Sequence, residues 1–121
     1  MKSILIVEDE PTLQKTLSAA LRQEDYEVKN ALDGEEGLKM AREVKPNLIL
    51  LDLILPKIDG FEVLDELKKE EETKAIPVIV LTNLESPQDI ERALALGATT
   101  YLVKANYDLK DIIEKVKETI K

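Results

Sequence analysis

A chain of 121 residues with 17 Lys and Arg against 25 Asp and Glu, a formal net charge of −8, is long enough for one hydrophobic core and too short for two. It has no cysteine and no histidine. That excludes disulfides, thiolate and imidazole metal sites, cysteine nucleophiles and serine–histidine dyads, and leaves carboxylates, hydroxyls, lysine and backbone to do any chemistry. The negative charge disfavours direct contact with nucleic acid or an anionic membrane and favours divalent cations and basic protein surfaces.

In chain order, SILIV at 3–7 is the first short apolar run rich in branched residues, and it ends in Glu8 and Asp9. The start MKSILIVEDE reaches acidic residues after too short an apolar run for a secretory signal, and no later stretch approaches a membrane span, so a cytoplasmic location is expected. Asp9, before Glu10 and Pro11, has the ordinary look of a helix cap. Leu13, Leu17, Ala20 and Leu21 form the stripe of a first helix, and YEVKNA at 26–31 is the second strand. Asp33 precedes Glu36 in a capping-box spacing and opens a second helix marked by Leu38, Ala41 and Val44.

NLILL at 47–51 then reads as a strand buried on both faces, and Asp52 follows it. No helix begins at Leu53, Ile54 and Leu55, so Asp52 has nothing to cap; Pro56 and the Asp59, Gly60 pair turn the chain into a third helix with Phe61, Leu64 and Leu67. KKEEETK at 68–74 reads as the solvated end of that helix. PVIVL at 77–81 ends in Thr82, Ser86 and Pro87 start a fourth helix carrying Ile90, Ala93 and Leu94, and Gly97 closes it. TYLV at 100–103 ends in Lys104, and Leu109, Ile112, Ile113, Val116 and Ile120 mark the last helix.

Five alternations of strand and helix argue for a doubly wound α/β domain, a parallel sheet between layers of helices. Parallel strands all end on one edge, so Glu8, Asp9, Asp52, Thr82 and Lys104 should gather there, where ligands of such sheets bind. Three carboxylates and one lysine leave excess negative charge. Oxygen-only ligands of that kind suit Mg²⁺ before Ca²⁺. A carboxylate there can also act as a nucleophile and form an aspartyl phosphate, with metal and lysine neutralising the phosphoryl oxygens.

The acidic pair Glu8 and Asp9, DLILPKIDG from Asp52 to Gly60, LTN with Thr82 and GATTYLVK ending at Lys104 resemble the receiver domain of two-component response regulators, over essentially the whole of 1–121. The resemblance implies a flavodoxin-like three-layer sandwich with five helices and strand order 2-1-3-4-5. It implies that Asp52 accepts a phosphoryl group from a phosphohistidine on a sensor histidine kinase or histidine phosphotransfer protein. Asp9, Asp52 and the Ile54 backbone carbonyl would hold Mg²⁺, with Glu8 assisting through water, and Lys104 would pair with the phosphoryl group. Thr82 and the Asn83 backbone N–H would bind phosphoryl oxygens, and Tyr101 would turn inward as Thr82 moves. The surface of the fourth helix, fifth strand and last helix would then change for a downstream protein partner, with the chain a monomer or a phosphorylation-dependent dimer. Such a domain is a signalling phosphoacceptor rather than an enzyme.

Four positions depart from the family pattern. Glu8 replaces the commoner aspartate, Leu55 a methionine, and Asn83 a small residue beside the pocket. Ala105 stands where a proline in a cis peptide is usual; without proline a cis bond costs about 2.5–4 kcal/mol, so the loop either stores strain or goes trans and repositions Lys104. Ile54 and Leu84 are apolar where some relatives place groups that assist an attacking water, which predicts slow self-dephosphorylation.

Three other readings share parts of this pattern. A flavodoxin-like cofactor binder needs a glycine- and hydroxyl-rich loop where EDEPT stands. A magnesium-dependent phosphohydrolase with an aspartyl nucleophile needs a second carboxylate where Ile54 stands. A receiver-like adaptor that is never phosphorylated shares the fold, and tends to lose an acidic residue or the lysine, all of which this chain keeps.

Overall fold

The computed structural model describes residues 1–120. Its elements alternate as expected: β1 (Ser3–Val7), α1 (Pro11–Gln23), β2 (Glu27–Ala31), α2 (Gly34–Val44), β3 (Leu48–Leu51), α3 (Gly60–Lys69), β4 (Val78–Thr82), α4 (Pro87–Ala95), β5 (Thr100–Val103) and α5 (Leu109–Thr119), with a short 3₁₀ turn at Lys104–Asn106. The five strands form one sheet in the order β2-β1-β3-β4-β5, and every pairing is parallel. No helix among the described residues is long and apolar enough to cross a membrane.

Each strand feeds two cores because successive side chains point to opposite faces. Leu5, Val7, Ile49, Leu51, Val78 and Val80 pack beneath α2 and α3 with Leu38, Phe61, Val63, Leu64 and Leu67. Ile4, Ile6, Leu48, Leu50, Ile79 and Leu81 pack beneath α1 and α5 with Leu17, Leu21, Ile112, Ile113 and Val116. The central strands are thus apolar on both faces, which is why their sequences run as unbroken aliphatic stretches.

Helix starts follow from their caps. Asp33, Asp59, Ser86 and Asp108 each accept a hydrogen bond from the backbone N–H three residues on, worth about 1 kcal/mol apiece. Two expectations need correction here. Asp33 caps Glu36 as its spacing suggests, but the full reciprocal box forms at Asp108 and Asp111 instead. Asp9 caps nothing: the residue at the start of α1 is Glu10, its side chain makes no capping bond, and Pro11 at the first helical position removes one N–H that would need a partner.

Three further positions differ from the sequence pattern. Leu94, placed on the apolar stripe of α4, is 47% exposed, and Ala93 is the buried residue of that helix. Thr73, inside the charged run 68–74, is fully buried, its hydroxyl donating to the Leu67 carbonyl at 2.7 Å. The Lys68 ammonium turns back to the carbonyls of Ile76 (2.7 Å) and Lys74 (3.2 Å), and burial pushes its pKa down. The run is therefore a folded turn that closes α3 onto the sheet, with its glutamates outside. At Lys104–Ala105 the peptide is trans, and the chain continues as the 3₁₀ turn.

Candidate functional site

The register places the strand ends side by side: Val7 pairs with Leu51, and Thr82 with Val103. Glu8 and Asp52 are the residues that follow β1 and β3, Thr82 closes β4, and Lys104 follows β5. Each is one residue past, or at, the point where the ladder runs out. That is why a carboxylate can stand there without breaking an apolar strand.

Glu8 and Asp52 are almost wholly buried, whereas Asp9 is exposed. One oxygen from each of Glu8, Asp9 and Asp52 lies within 4.8 Å of the others. The Lys104 ammonium sits between two of them, 2.9 Å from Glu8 Oε1 and 2.9 Å from Asp52 Oδ2. The other Asp52 oxygen, Oδ1, accepts from the Ile54 backbone N–H at 3.1 Å, and Glu8 Oε2 accepts from the Glu10 N–H at 3.1 Å. Both buried carboxylates thus have each oxygen satisfied, which answers the desolvation cost of ionised groups in such a place.

The same contacts set the ionisation. Burial raises the Glu8 carboxyl above its ordinary range, the bond from Lys104 opposes this, and the negative charge of Asp52 adds to it. For Lys104 burial alone would lower the pKa, but the hydrogen bonds to Asp52 and Glu8 and their charges outweigh it and raise it. The ammonium stays charged and the cluster keeps its counterion.

The remaining residues frame this group. Thr82 is fully buried, and its hydroxyl accepts from the Leu84 backbone N–H at 3.4 Å. Asn83, the next residue, is exposed. Tyr101 is half-buried and its hydroxyl donates to the Leu84 carbonyl at 2.8 Å, so both Thr82 and Tyr101 hold the segment leading into α4. Burial, with the charges of Asp89 and Asp52, raises the Tyr101 pKa. Ile54, two residues after Asp52, is 52% exposed. Three clustered carboxylates offering hard oxygen ligands fit a divalent cation that keeps part of its water.

Sequence reading passed over Gln14. Its side-chain amide donates to the backbone carbonyls of Glu8 (3.2 Å) and Ala31 (3.0 Å). The available signal was its position: Gln14 and Ser18 lie one helical turn apart on the face of α1 that also carries Leu17 and Leu21. Ser18 is buried and donates to Asn30 Oδ1 at 3.0 Å.

Comparison with known proteins places this geometry among relatives. The family described as response regulator receiver domain matches residues 4–117. The DNA-binding dual master transcriptional regulator RpaA of Synechocystis sp. is 38% identical over 121 residues, all of this chain and 50% of that protein. The chain thus spans about half the length of such a curated relative. A CheY-like response regulator receiver domain protein from Methanospirillum hungatei JF-1 is 32% identical, with a TM-score of 0.92 over 99% of this chain and 94% of its own. The Mn(2+)-bound form of response regulator Rcp1 is 36% identical, with a TM-score of 0.81 over 98% and 91%.

Proposed function

The chain belongs to the response regulator receiver domain family, the receivers of two-component signalling, and from that premise we propose that Asp52 is the phosphoacceptor of residues 1–121 acting as one domain. The observation that supports this reading is the Asp52 carboxylate, anchored by the Ile54 N–H on one oxygen and by Lys104 on the other at the open end of β3.

A carboxylate oxygen of Asp52 attacks the phosphorus of a phosphohistidine on a sensor histidine kinase or histidine phosphotransfer protein. The new O–P bond forms as the P–N bond breaks, and the imidazole leaves with the electron pair. Lys104 swings its charge to the phosphoryl oxygens, because the negative charge it balances on Asp52 moves outward with them. Thr82 turns its hydroxyl proton toward a phosphoryl oxygen, and the Asn83 backbone N–H supplies a second donor. Glu8, Asp9, Asp52 and the Ile54 carbonyl would hold Mg²⁺, which would supply positive charge to the oxygens of the transferred group. That response regulator Rcp1 has a Mn(2+)-bound form supports a divalent cation for this chain.

Thr82 and Tyr101 share the segment at Leu84, so a change at Thr82 is felt by Tyr101 and by α4. The partner surface is therefore the α4–β5–α5 face, read by a downstream protein, with the domain monomeric or dimerising on phosphorylation. The setting is cytoplasmic, with neither nucleic acid nor membrane as a direct partner of this domain, and the role is a signalling switch rather than an enzyme. The exposed apolar Ile54 offers no group to orient water, in keeping with slow loss of the phosphoryl group.

The test is incubation with Mg²⁺ and acetyl phosphate followed by intact mass measurement. The protein should gain one phosphoryl mass, and Asp52→Ala should gain none. No gain in the wild type, or a gain that survives Asp52→Ala, overturns the reading.

A further inference from the structure

The turn that carries Glu8 and Asp9 is held from outside the acidic cluster. The Gln14 Nε2 reaches the carbonyls of Glu8 and Ala31, and both partners are acceptors, so only the NH₂ of the amide can face them and each of its N–H groups is used. The Ala31 carbonyl also accepts the Glu8 backbone N–H at 3.0 Å. These bonds join the end of β2, the residue after β1 and the first turn of α1 into one closed ring. Glu10 contributes no side-chain cap to that end of α1.

Asp9 depends on this ring. It is exposed, and among the described residues its carboxylate takes no hydrogen bond or ion pair, so its main chain alone places it beside Glu8 and Asp52. A polar amide on the inner face of an amphipathic helix is also a poor choice for packing, where leucine would bury more apolar surface.

We propose that Gln14 is a positioning residue for the divalent cation: it touches neither the ion nor a phosphoryl group, but fixes the backbone that presents Glu8 and Asp9 and thereby sets the affinity. The inference rests on the reading of the acidic cluster as a metal site. Coordination tolerates errors of about 0.2 Å, and groups that orient ligands typically change metal affinity about 10- to 100-fold.

The experiment titrates MgCl₂ into the intact protein by calorimetry and measures urea unfolding without the cation, for the wild type, Gln14→Met, Gln14→Ala and Ser18→Ala. Met keeps the length of Gln without a donor, and Ala avoids any crowding. Both Gln14 variants should bind Mg²⁺ about ten-fold more weakly. Ser18→Ala, which removes the bond of the same helix to the Asn30 side chain and leaves the bonds to the Glu8 and Ala31 carbonyls in place, should lose stability and keep its Mg²⁺ affinity. A folded Gln14 variant that loses stability at unchanged affinity overturns the proposal, as does an equal loss of affinity in Ser18→Ala. A wild type that binds no Mg²⁺ overturns the metal reading itself, and the proposal with it.

Discussion

Replacing Lys104 with methionine keeps the length of the side chain and removes the cation between Glu8 and Asp52. Its ammonium lies 2.9 Å from an oxygen of each, and the two carboxylate side chains are 3% and 6% exposed, so water cannot take over the role. Two like charges whose oxygens lie within 4.8 Å repel by about 3 kcal/mol at an effective dielectric of about 20. Breaking buried ion pairs costs a similar amount, about 3–5 kcal/mol. Lys104→Met should therefore lose about 3 kcal/mol in urea unfolding followed by circular dichroism near pH 7 without divalent cation. The deficit has a pH signature. Burial already holds the Glu8 carboxyl above its ordinary value while Lys104 opposes that rise, so in the variant the folded state takes up the proton before the unfolded chain does. Such a group is at no disadvantage below the unfolded carboxyl pKa of about 4.3, and stability is lost as pH rises through the higher folded value. The deficit should shrink as the pH falls toward that unfolded value. A loss below about 0.5 kcal/mol, or one indifferent to acid, would refute the view that Lys104 is the counterion of both carboxylates.

Thr73→Val keeps the shape of a fully buried side chain but leaves the Leu67 carbonyl without its donor, so urea unfolding should show a loss of about 1–2 kcal/mol; no loss would mean the bond is not needed. Lys57 has a φ of 68°, a left-handed conformation that asparagine adopts more easily, and its bridge to Asp33 is long at 3.6 Å with the Lys57 side chain itself 60% exposed. Lys57→Asn should raise the melting temperature by about 2 °C, and a fall would show that the bridge outweighs the strain. A Cβ at Gly60 would run into the Asp52 carbonyl oxygen and the Leu53 Cα, both main chain. Gly60→Ala should cost about 3 kcal/mol in the same unfolding assay and abolish acceptance from acetyl phosphate; a stable, phosphorylated variant would contradict the tight packing of that turn.

The sheet and its polar edge were legible in the sequence because burial leaves few choices. A strand covered on both faces must be aliphatic throughout, so the polar residues Glu8, Asp52, Thr82 and Lys104 mark where β1, β3, β4 and β5 end. What periodicity missed were positions decided by hydrogen bonds. Thr73 and Lys68 look like surface residues in KKEEETK, yet the turn after α3 needs a donor for the Leu67, Ile76 and Lys74 carbonyls, and these two supply it. Gln14 is similar, since its value lies in two carbonyls, one just after β1 and one at the end of β2, that no local pattern brings together. Leu94 fitted the spacing of α4 and still faces outward, because spacing assigns a face without saying how much neighbouring surface exists to cover it. At Ala105 both peptide geometries were open; the trans chain still delivers Lys104 to its partners.

α4 is joined to the rest of the molecule by few attachments. α3 buries Gly60, Phe61, Val63, Leu64 and Leu67, but α4 buries only Ala93 and is otherwise located by Arg92 stacked 4.1 Å over the Phe61 ring and by the segment held at Leu84. Attachments of this kind are worth about 1 kcal/mol each, and about 1.4 kcal/mol changes a population ratio tenfold. By buried side chains α4 is therefore held more lightly than α3. On the proposed reading, a small local energy at Thr82 would then suffice to shift a helix held by so few contacts, while the strand ends that carry the charges stay in place.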